Sequence, residues 1–357
     1  MQLVINSWGA FLGKRENCFL IKKPAEDSGE ERVFEVSAKK VESILISTSA
    51  SLSTDAIQLA MENNTDIIFM DSFGNPYARV WHSKLGSTTL IRRRQLEIAE
   101  TEEGFKLAQE WMVKKLESRI DFLKRLKNAR PQKEEEIQGY IDGLVGIVAK
   151  LSLLQGTLDE KRATVMGLEG AGGKVYFDAL NFTMPERFKF EGRSRNPAKD
   201  EFNCLLNYGY GVLYSLVEKA CIIAGLDPYV GFIHTDNYNK KSLVFDLVEM
   251  FRVWVEETVA YLFSQRNVKK EFFNQIKNGL TLNQDGKTVL IESLNKFLER
   301  SVRYRGRNIK HRDIVQFECH RIANQLIKCE KSDVPDLDLD VKLTEMESPR
   351  LEQLEGE

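Results

Sequence analysis

TTLIRRRQLEIAETEEGFKLAQEWMVKKLESRIDFLKRL, residues 88–126, decides the fold class. Apolar residues recur three or four apart and Gly104 is the one internal glycine, so the stretch predicts a long amphipathic helix. Helical periodicity continues to about Cys329, with bends or ends at Pro131, the small residues 170–173, Pro185, Pro197, Pro228 and Gly306. Upstream the texture differs. LVINS (3–7), CFLIKK (18–23), RVFEV (32–36), ESILIS (42–47), DIIFM (66–70) and YARVW (77–81) are short apolar or alternating runs of strand length. The polar loop PAEDSGEE and the turn DSFGNP separate some of them, and one helix is predicted from about Thr54 to Glu62. The expectation is an α+β chain of two domains: a small β-rich, β-sandwich-like domain at 1–86 and a larger all-α catalytic domain at 87–329. An acidic tail at 330–357, containing SDVPDLDLDV, is too polar to fold alone.

Bulk numbers narrow the class. A chain of 357 residues with 42% hydrophobic and 29% charged residues has enough apolar mass for a core without staples. The five cysteines (18, 204, 221, 319 and 329) are odd in number and form no C-x-x-C pair, which points away from zinc ribbons and disulfide scaffolds and toward a reducing cytoplasm. No run is long enough to span a membrane, and MQLVINSWGAF lacks the pattern of a signal peptide. The net charge of −2 hides an asymmetry: the tail holds ten acids against three bases, leaving residues 1–329 at +5. A mildly basic body is compatible with nucleic acid, although charge alone favours a solvated surface with a disordered end.

Three segments carry candidate chemistry. GLEGAGGKVYF (167–177) is not a phosphate loop, because Leu168 stands where the first glycine belongs and Val175 where Ser or Thr belongs. It reads instead as a helix whose small residues admit a close neighbour beside Glu169. GFIHT (231–235) presents His234 after an apolar stretch, either as a ligand or as an ordinary packed imidazole. His82 is read as a surface or packing residue. SLVFDLVEMFR (242–252) is a strongly apolar helix with Asp246 and Glu249 one turn apart. Carboxylates there need a cation, which is either a metal or a partner such as Arg252. Two carboxylates and one imidazole suit Mg²⁺ or Mn²⁺ with open positions, the arrangement that phosphodiester chemistry uses.

Basic clusters flank these segments. PERFKFEGRSRNPAK (185–199) offers Arg187, Lys189, Arg193, Arg195 and Lys199, and RYRGRNIKHR (303–312) offers Arg303, Arg305, Arg307, Lys310 and Arg312. All are candidates for DNA phosphate contacts, joined by Arg92, Arg93 and Arg94 on the long helix. Phe188, Phe190 and Tyr304 are either stacking platforms or core residues.

Taken in order, GLEGAGGKVYFDALN, SRNPAKDEFNCLLNYGYGVLY, GFIHT and SLVFDLVEMFR make the chain resemble, over nearly its whole length, the first Cas protein, the CRISPR-associated integrase that captures new spacers. The resemblance implies a metal-dependent DNA endonuclease and integrase with metal ligands at Glu169, His234 and Glu249. Asp246 matches an acidic position that acts behind the ligands or holds a second cation. The third ligand is Asp in some members, and the loop between His234 and Asp246 departs from the usual family pattern. The resemblance further implies a homodimer paired through its β-domains, two such dimers bridged by the small second Cas protein, and double-stranded DNA substrates: a prespacer and the CRISPR leader–repeat. Competing expectations are a branched-DNA repair nuclease or a transposon-type integrase with the same site, and a non-catalytic DNA-binding scaffold.

Overall fold

The computed structural model describes residues 1–24, 32–80, 89–195, 197–234 and 240–328. Its first part holds β1 (Gln2–Ile5), β2 (Ala10–Arg15), β3 (Cys18–Lys23), β4 (Arg32–Ser37), β5 (Ser43–Ile46), β6 (Ala50–Leu52), α1 (Thr54–Glu62), β7 (Asp66–Met70) and β8 (Pro76–Val80). Two four-stranded sheets form, in the orders β1-β5-β7-β8 and β4-β3-β2-β6. In the first sheet β1, β5 and β7 run parallel and β8 runs antiparallel to β7. Parallel strands buried on both faces read as continuous apolar runs, and SILI and DIIFM do. Their alternate side chains go to different places. Ile44, Ile46 and Ile67 join a core with Leu12, Phe19, Ile21 and α1, while Leu45, Ile68 and Met70 join the core of the helical part. Ser53 caps α1 by accepting from the Ala56 N–H at 3.2 Å, which sets the helix start where the sequence placed it.

The second part holds α2 (Thr89–Ile98), α3 (Glu102–Asn128), α4 (Glu134–Ser152), α5 (Leu158–Thr183), α6 (Glu201–Ile223), α7 (Ser242–Val248), α8 (Arg252–Ser264), β9 (Phe273–Ile276), β10 (Gly279–Leu282), α9 (Gln284–Leu298), β11 (Ser301–Tyr304), β12 (Arg307–Lys310) and α10 (His311–Lys328). The β-rich first part and helical second part are as expected. Three details differ. The long helix breaks between Ile98 and Glu102, where Thr101 accepts from the Gly104 N–H at 3.3 Å. Gly104 makes the break possible, since a Cβ there would lie 2.2 Å from the Ile98 carbonyl oxygen. The part expected to be all-α also carries two antiparallel hairpins, β9–β10 and β11–β12. Asn278 (φ 69°) and the pair Arg305 and Gly306 (φ 45° and 81°) turn them, the left-handed geometry of tight hairpins. Finally, β2 and β6 were not anticipated. The boundary at residue 86 and the tail at 330–357 lie outside the described residues.

Helix α3 runs through the middle of the helical core and packs on α4, α5 and α8. Its inward face carries Phe105, Ala108, Trp111, Met112, Leu116, Ile120, Phe122 and Leu123, all buried. Lys115 and Arg119 lie on the same buried side. Among the described residues no helix is long and apolar enough to cross a membrane.

Candidate functional site

Glu169 sits near the middle of α5, a helix started firmly by a Thr157–Glu160 capping box. Of the small residues around it only Gly172 serves a close crossing: a Cβ there would meet Leu116 at 2.8 Å. Gly170 and Gly173 have open space where a side chain would be, so among the three glycines of 170–173 the tight-crossing expectation holds at one. Glu249 opens a 3₁₀ turn, Glu249–Phe251, between α7 and α8 and is buried.

The two carboxylates are joined by a residue the sequence did not flag. The Lys115 ammonium pairs with Glu169 Oε1 and lies 2.5 Å from Glu249 Oε2. Arg252 takes the other oxygen of Glu249 at 2.9 Å. Burial alone would raise the Glu249 carboxyl, but Arg252 and Lys115 outweigh it and hold the group at about 2. Arg252 is therefore an ion-pair partner, as one of the two expectations for Glu249 required. Lys115 could have been noticed as a cation recurring every fourth residue with Trp111 and Arg119 on an otherwise apolar helix side.

His234 is set by Asp246. The buried Asp246 carboxylate accepts from the backbone N–H groups of Phe232 (2.6 Å), Ile233 (3.1 Å) and His234 (3.0 Å). Its Oδ1 also lies 2.7 Å from His234 Nδ1. A carboxylate only accepts, so Nδ1 donates, and in the neutral imidazole the Nε2 lone pair is left over. The loop folds this tightly because residue 231 is glycine: a Cβ would lie 2.4 Å from Ser242 Cβ and 2.6 Å from the His234 carbonyl oxygen. Asp246 thus orients the imidazole, with its own oxygens fully engaged.

Glu169, His234 and Glu249 line one cavity of about 230 Å³ together with Arg195, Lys240 and Arg252. The sequence order of these residues gave no hint that Lys240 would share that space. Among the described residues no three His, Cys, Asp or Glu side chains gather closely enough to form a metal centre. Two observations nevertheless fit a divalent ion. The donor set is two hard oxygens and one imidazole with its partner already behind it. A cation, the Lys115 ammonium, already stands between the two carboxylates.

The basic clusters divide. Arg193 turns inward, its Nη2 2.9 Å from Asn207 Oδ1 and its guanidinium over the Tyr210 ring, and burial lowers its pKa. Arg195, two residues on, is exposed and reaches the cavity. Lys189 pairs with Glu186 at 2.7 Å, Arg187 lies over Phe188, and Lys199 is exposed. In the second cluster Arg305 pairs with Glu318 at 3.1 Å, Lys310 with Glu299 at 2.8 Å, and Arg312 with Glu299 and Glu42. Arg303 and Arg307 are exposed. On α2, Arg94 pairs with Glu97 at 2.7 Å. Phe190 stacks on Phe202 in the core and the Tyr304 hydroxyl donates to Glu318, so neither is a free platform for a base.

Fold and site define a two-part α+β protein with a carboxylate–imidazole centre in a cationic cavity. The family model described as CRISPR associated protein Cas1 matches residues 3–296. A CRISPR-associated endonuclease Cas1 of Archaeoglobus fulgidus is 32% identical over 327 residues, covering 88% of this chain and 93% of that protein. A second, from Pyrobaculum aerophilum, is 35% identical over 73% of this chain and 82% of that protein. The chain belongs to the Cas1 family. Among solved structures, a casposase bound to integration product superposes with a TM-score of 0.79 at 22% identity, covering 93% of this chain and 92% of that one. A Cas1 protein from Thermotoga maritima superposes with 0.76 at 22% identity, covering 92% and 97%.

Proposed function

We propose that this chain is a metal-dependent DNA endonuclease and strand-transfer enzyme that inserts short DNA segments into a CRISPR array. The observation that carries the proposal is the meeting of Glu169, His234 and Glu249 in one cavity whose other charged walls are Arg195, Lys240 and Arg252. The endonuclease name of the Archaeoglobus relative and the integration product held by the casposase support the same reading.

Glu169, Glu249 and His234 Nε2 would hold Mg²⁺ or Mn²⁺, and the bound ion would polarise a phosphate oxygen and acidify an attacking hydroxyl. Asp246 keeps Nδ1 as a donor, so His234 presents a single nitrogen in a fixed direction. Arg195 and Lys240 attract the phosphodiester into the cavity and offset its charge. A 3′-hydroxyl attacks phosphorus, a new P–O bond forms, and the old P–O3′ bond breaks. With Nε2 on the ion and the Nδ1 proton held by Asp246, His234 acts as a ligand; the attacking hydroxyl would lose its proton to water and the leaving 3′-oxygen would take one from water. If water attacks instead, the outcome is cleavage, which is also the branched-DNA repair reading.

The proposal extends to context. The substrates are a double-stranded prespacer and the leader–repeat duplex, with Arg187, Lys189, Lys199, Arg303 and Arg307 as outer phosphate contacts. Residues 1–86 form the dimerisation domain, residues 87–329 the catalytic domain, and the small second Cas protein bridges two dimers in the cytoplasm. In a complex titled Cas6-RT-Cas1–Cas2, 35% of one chain superposes on 93% of this one with a TM-score of 0.73 at 20% identity.

The test mixes the protein, the small second Cas protein, a labelled duplex with free 3′-hydroxyls, a supercoiled plasmid bearing a repeat array, and Mn²⁺. Label should join the plasmid with wild type and not with His234→Ala. Nicking without joining in this complete mixture would favour the repair nuclease. Joining by His234→Ala at the wild-type rate would end the proposed site.

A further inference from the structure

Lys115 occupies a place that α3 would ordinarily fill with an apolar residue. Its side chain is 2% exposed, and a buried ammonium persists only when paired. It is paired twice, with Glu169 Oε1 on α5 and with Glu249 Oε2 in the turn before α8. Glu249 keeps Arg252 on its remaining oxygen, so the two oxygens facing Lys115 are the two that the ammonium bridges. An ammonium there reduces the repulsion between two converging carboxylates and holds two elements at a fixed separation. A divalent cation bound by the same oxygens does the same work, and the two cannot share the place.

The surroundings let the ammonium leave. Lysine carries a compact charge on a flexible four-carbon stem, unlike the planar fork of arginine. The cavity of about 230 Å³ beside Glu169 and Glu249 supplies room, and the Glu169 side chain, which lines it, is 39% exposed. One turn farther along α3, Arg119 makes a comparable pair with Glu256, but there both side chains are sealed in the core.

We propose that Lys115 is an internal counter-ion that holds Glu169 and Glu249 together in the metal-free protein and competes with the divalent cation for them, so that it sets the metal affinity of the site. This rests on the reading of Glu169 and Glu249 as metal ligands. It makes Lys115 a positioning residue rather than a catalytic one, and it predicts an effect on metal binding without DNA or turnover.

The experiment is a calorimetric titration of the full-length, DNA-free protein with Mn²⁺, paired with thermal melts with and without the ion. Wild type is compared with Lys115→Met, Glu169→Ala and Arg195→Met. Arg195 lines the same cavity but pairs with neither carboxylate, so its variant measures the effect of simply removing a nearby positive charge. Lys115→Met should bind Mn²⁺ about tenfold more tightly than wild type or better, and by more than Arg195→Met does. It should melt lower than wild type without metal and regain that loss when saturated. Equal or weaker binding by Lys115→Met, where wild-type binding disappears in Glu169→Ala, overturns the counter-ion role and spares the metal site. No Glu169-dependent Mn²⁺ binding in any variant removes the metal-site reading and the proposal with it. Should Lys115→Met unfold without metal, recovery of its fold by Mn²⁺ supports the proposal. Failure to recover, together with unchanged Mn²⁺ binding by the milder Lys115→Gln, overturns it.

Discussion

Helix α3 carries two cations one turn apart on its buried side, and they meet their carboxylates in opposite ways. Arg119 grips Glu256 in a fork, Nη2 to Oε1 at 2.6 Å and Nε to Oε2 at 3.2 Å. The Tyr210 hydroxyl donates to the same Glu256 at 2.7 Å, and the Tyr176 ring covers the guanidinium from 4.5 Å. Every group in that knot is buried. Lys115 instead touches one carboxylate that is buried and one that is partly exposed, at the wall of a cavity. Both pairs place opposite charges in the interior, yet only one leaves room for a visitor. Charge burial by itself therefore marks no function; what matters is whether an open space adjoins it and whether the cation can move.

The largest expected effect is at the open pair. Glu169→Ala, His234→Ala and Glu249→Ala should each abolish Mn²⁺-dependent cleavage while leaving the circular dichroism spectrum and most DNA binding in place; full activity in any one removes that residue from the set. The closed pair should fail differently. Arg119→Met strands a buried carboxylate and should cost about 3–5 kcal/mol in chemical denaturation, whereas Arg119→Met with Glu256→Leu should recover most of it. A loss below ~1 kcal/mol in the single variant would mean that water reaches this knot.

Acid sharpens the contrast. Burial would raise Glu256, but Arg119 and Tyr210 hold it below the ordinary value of 4.5. A lowered carboxyl stabilises the fold above its unfolded value and stops doing so as pH falls toward the native one. Wild type should lose stability as pH drops below about 4.5, and the double variant should lose less over the same range. Equal acid sensitivity would place the cost elsewhere. A smaller effect belongs to Asp246→Asn, which weakens the hold on the His234 imidazole without touching the ligands; metal affinity should fall about 10–100-fold. Unchanged affinity would show that the loop alone orients the ring. Deleting 330–357 should change least, with folding and DNA affinity both kept, because the segment is net negative. Weaker DNA binding would show that the tail docks.

Much of this was legible in the chain. Helix α1 was readable to the residue because its cap and apolar face agree. Strands β3, β4, β5 and β7 stood out as apolar or alternating runs. β2 did not, because Gly13, Lys14 and Arg15 break its pattern, and the hairpin β11–β12 was hidden under its own arginines. Glu169, His234 and Glu249 were each ambiguous alone and became a set only in combination. Lys115 escaped because periodicity assigns a residue to a face and says nothing of what lies opposite. Partners of the second basic cluster were hidden for the same reason: Glu42 and Glu110, distant in sequence, and Glu299 and Glu318, just outside the segment, pair with part of it.

In the sheet β1-β5-β7-β8, successive residues face different cores: Ile44 and Ile67 to one side, Leu45 and Ile68 to the other. The sheet is a party wall, belonging to neither half alone. Severing the chain anywhere within residues 81–88 should break the polypeptide and not the molecule. The two pieces should travel together on a sizing column until denaturant opens the wall, and their separation in plain buffer would show that the backbone connection, rather than the shared sheet, holds the halves in place.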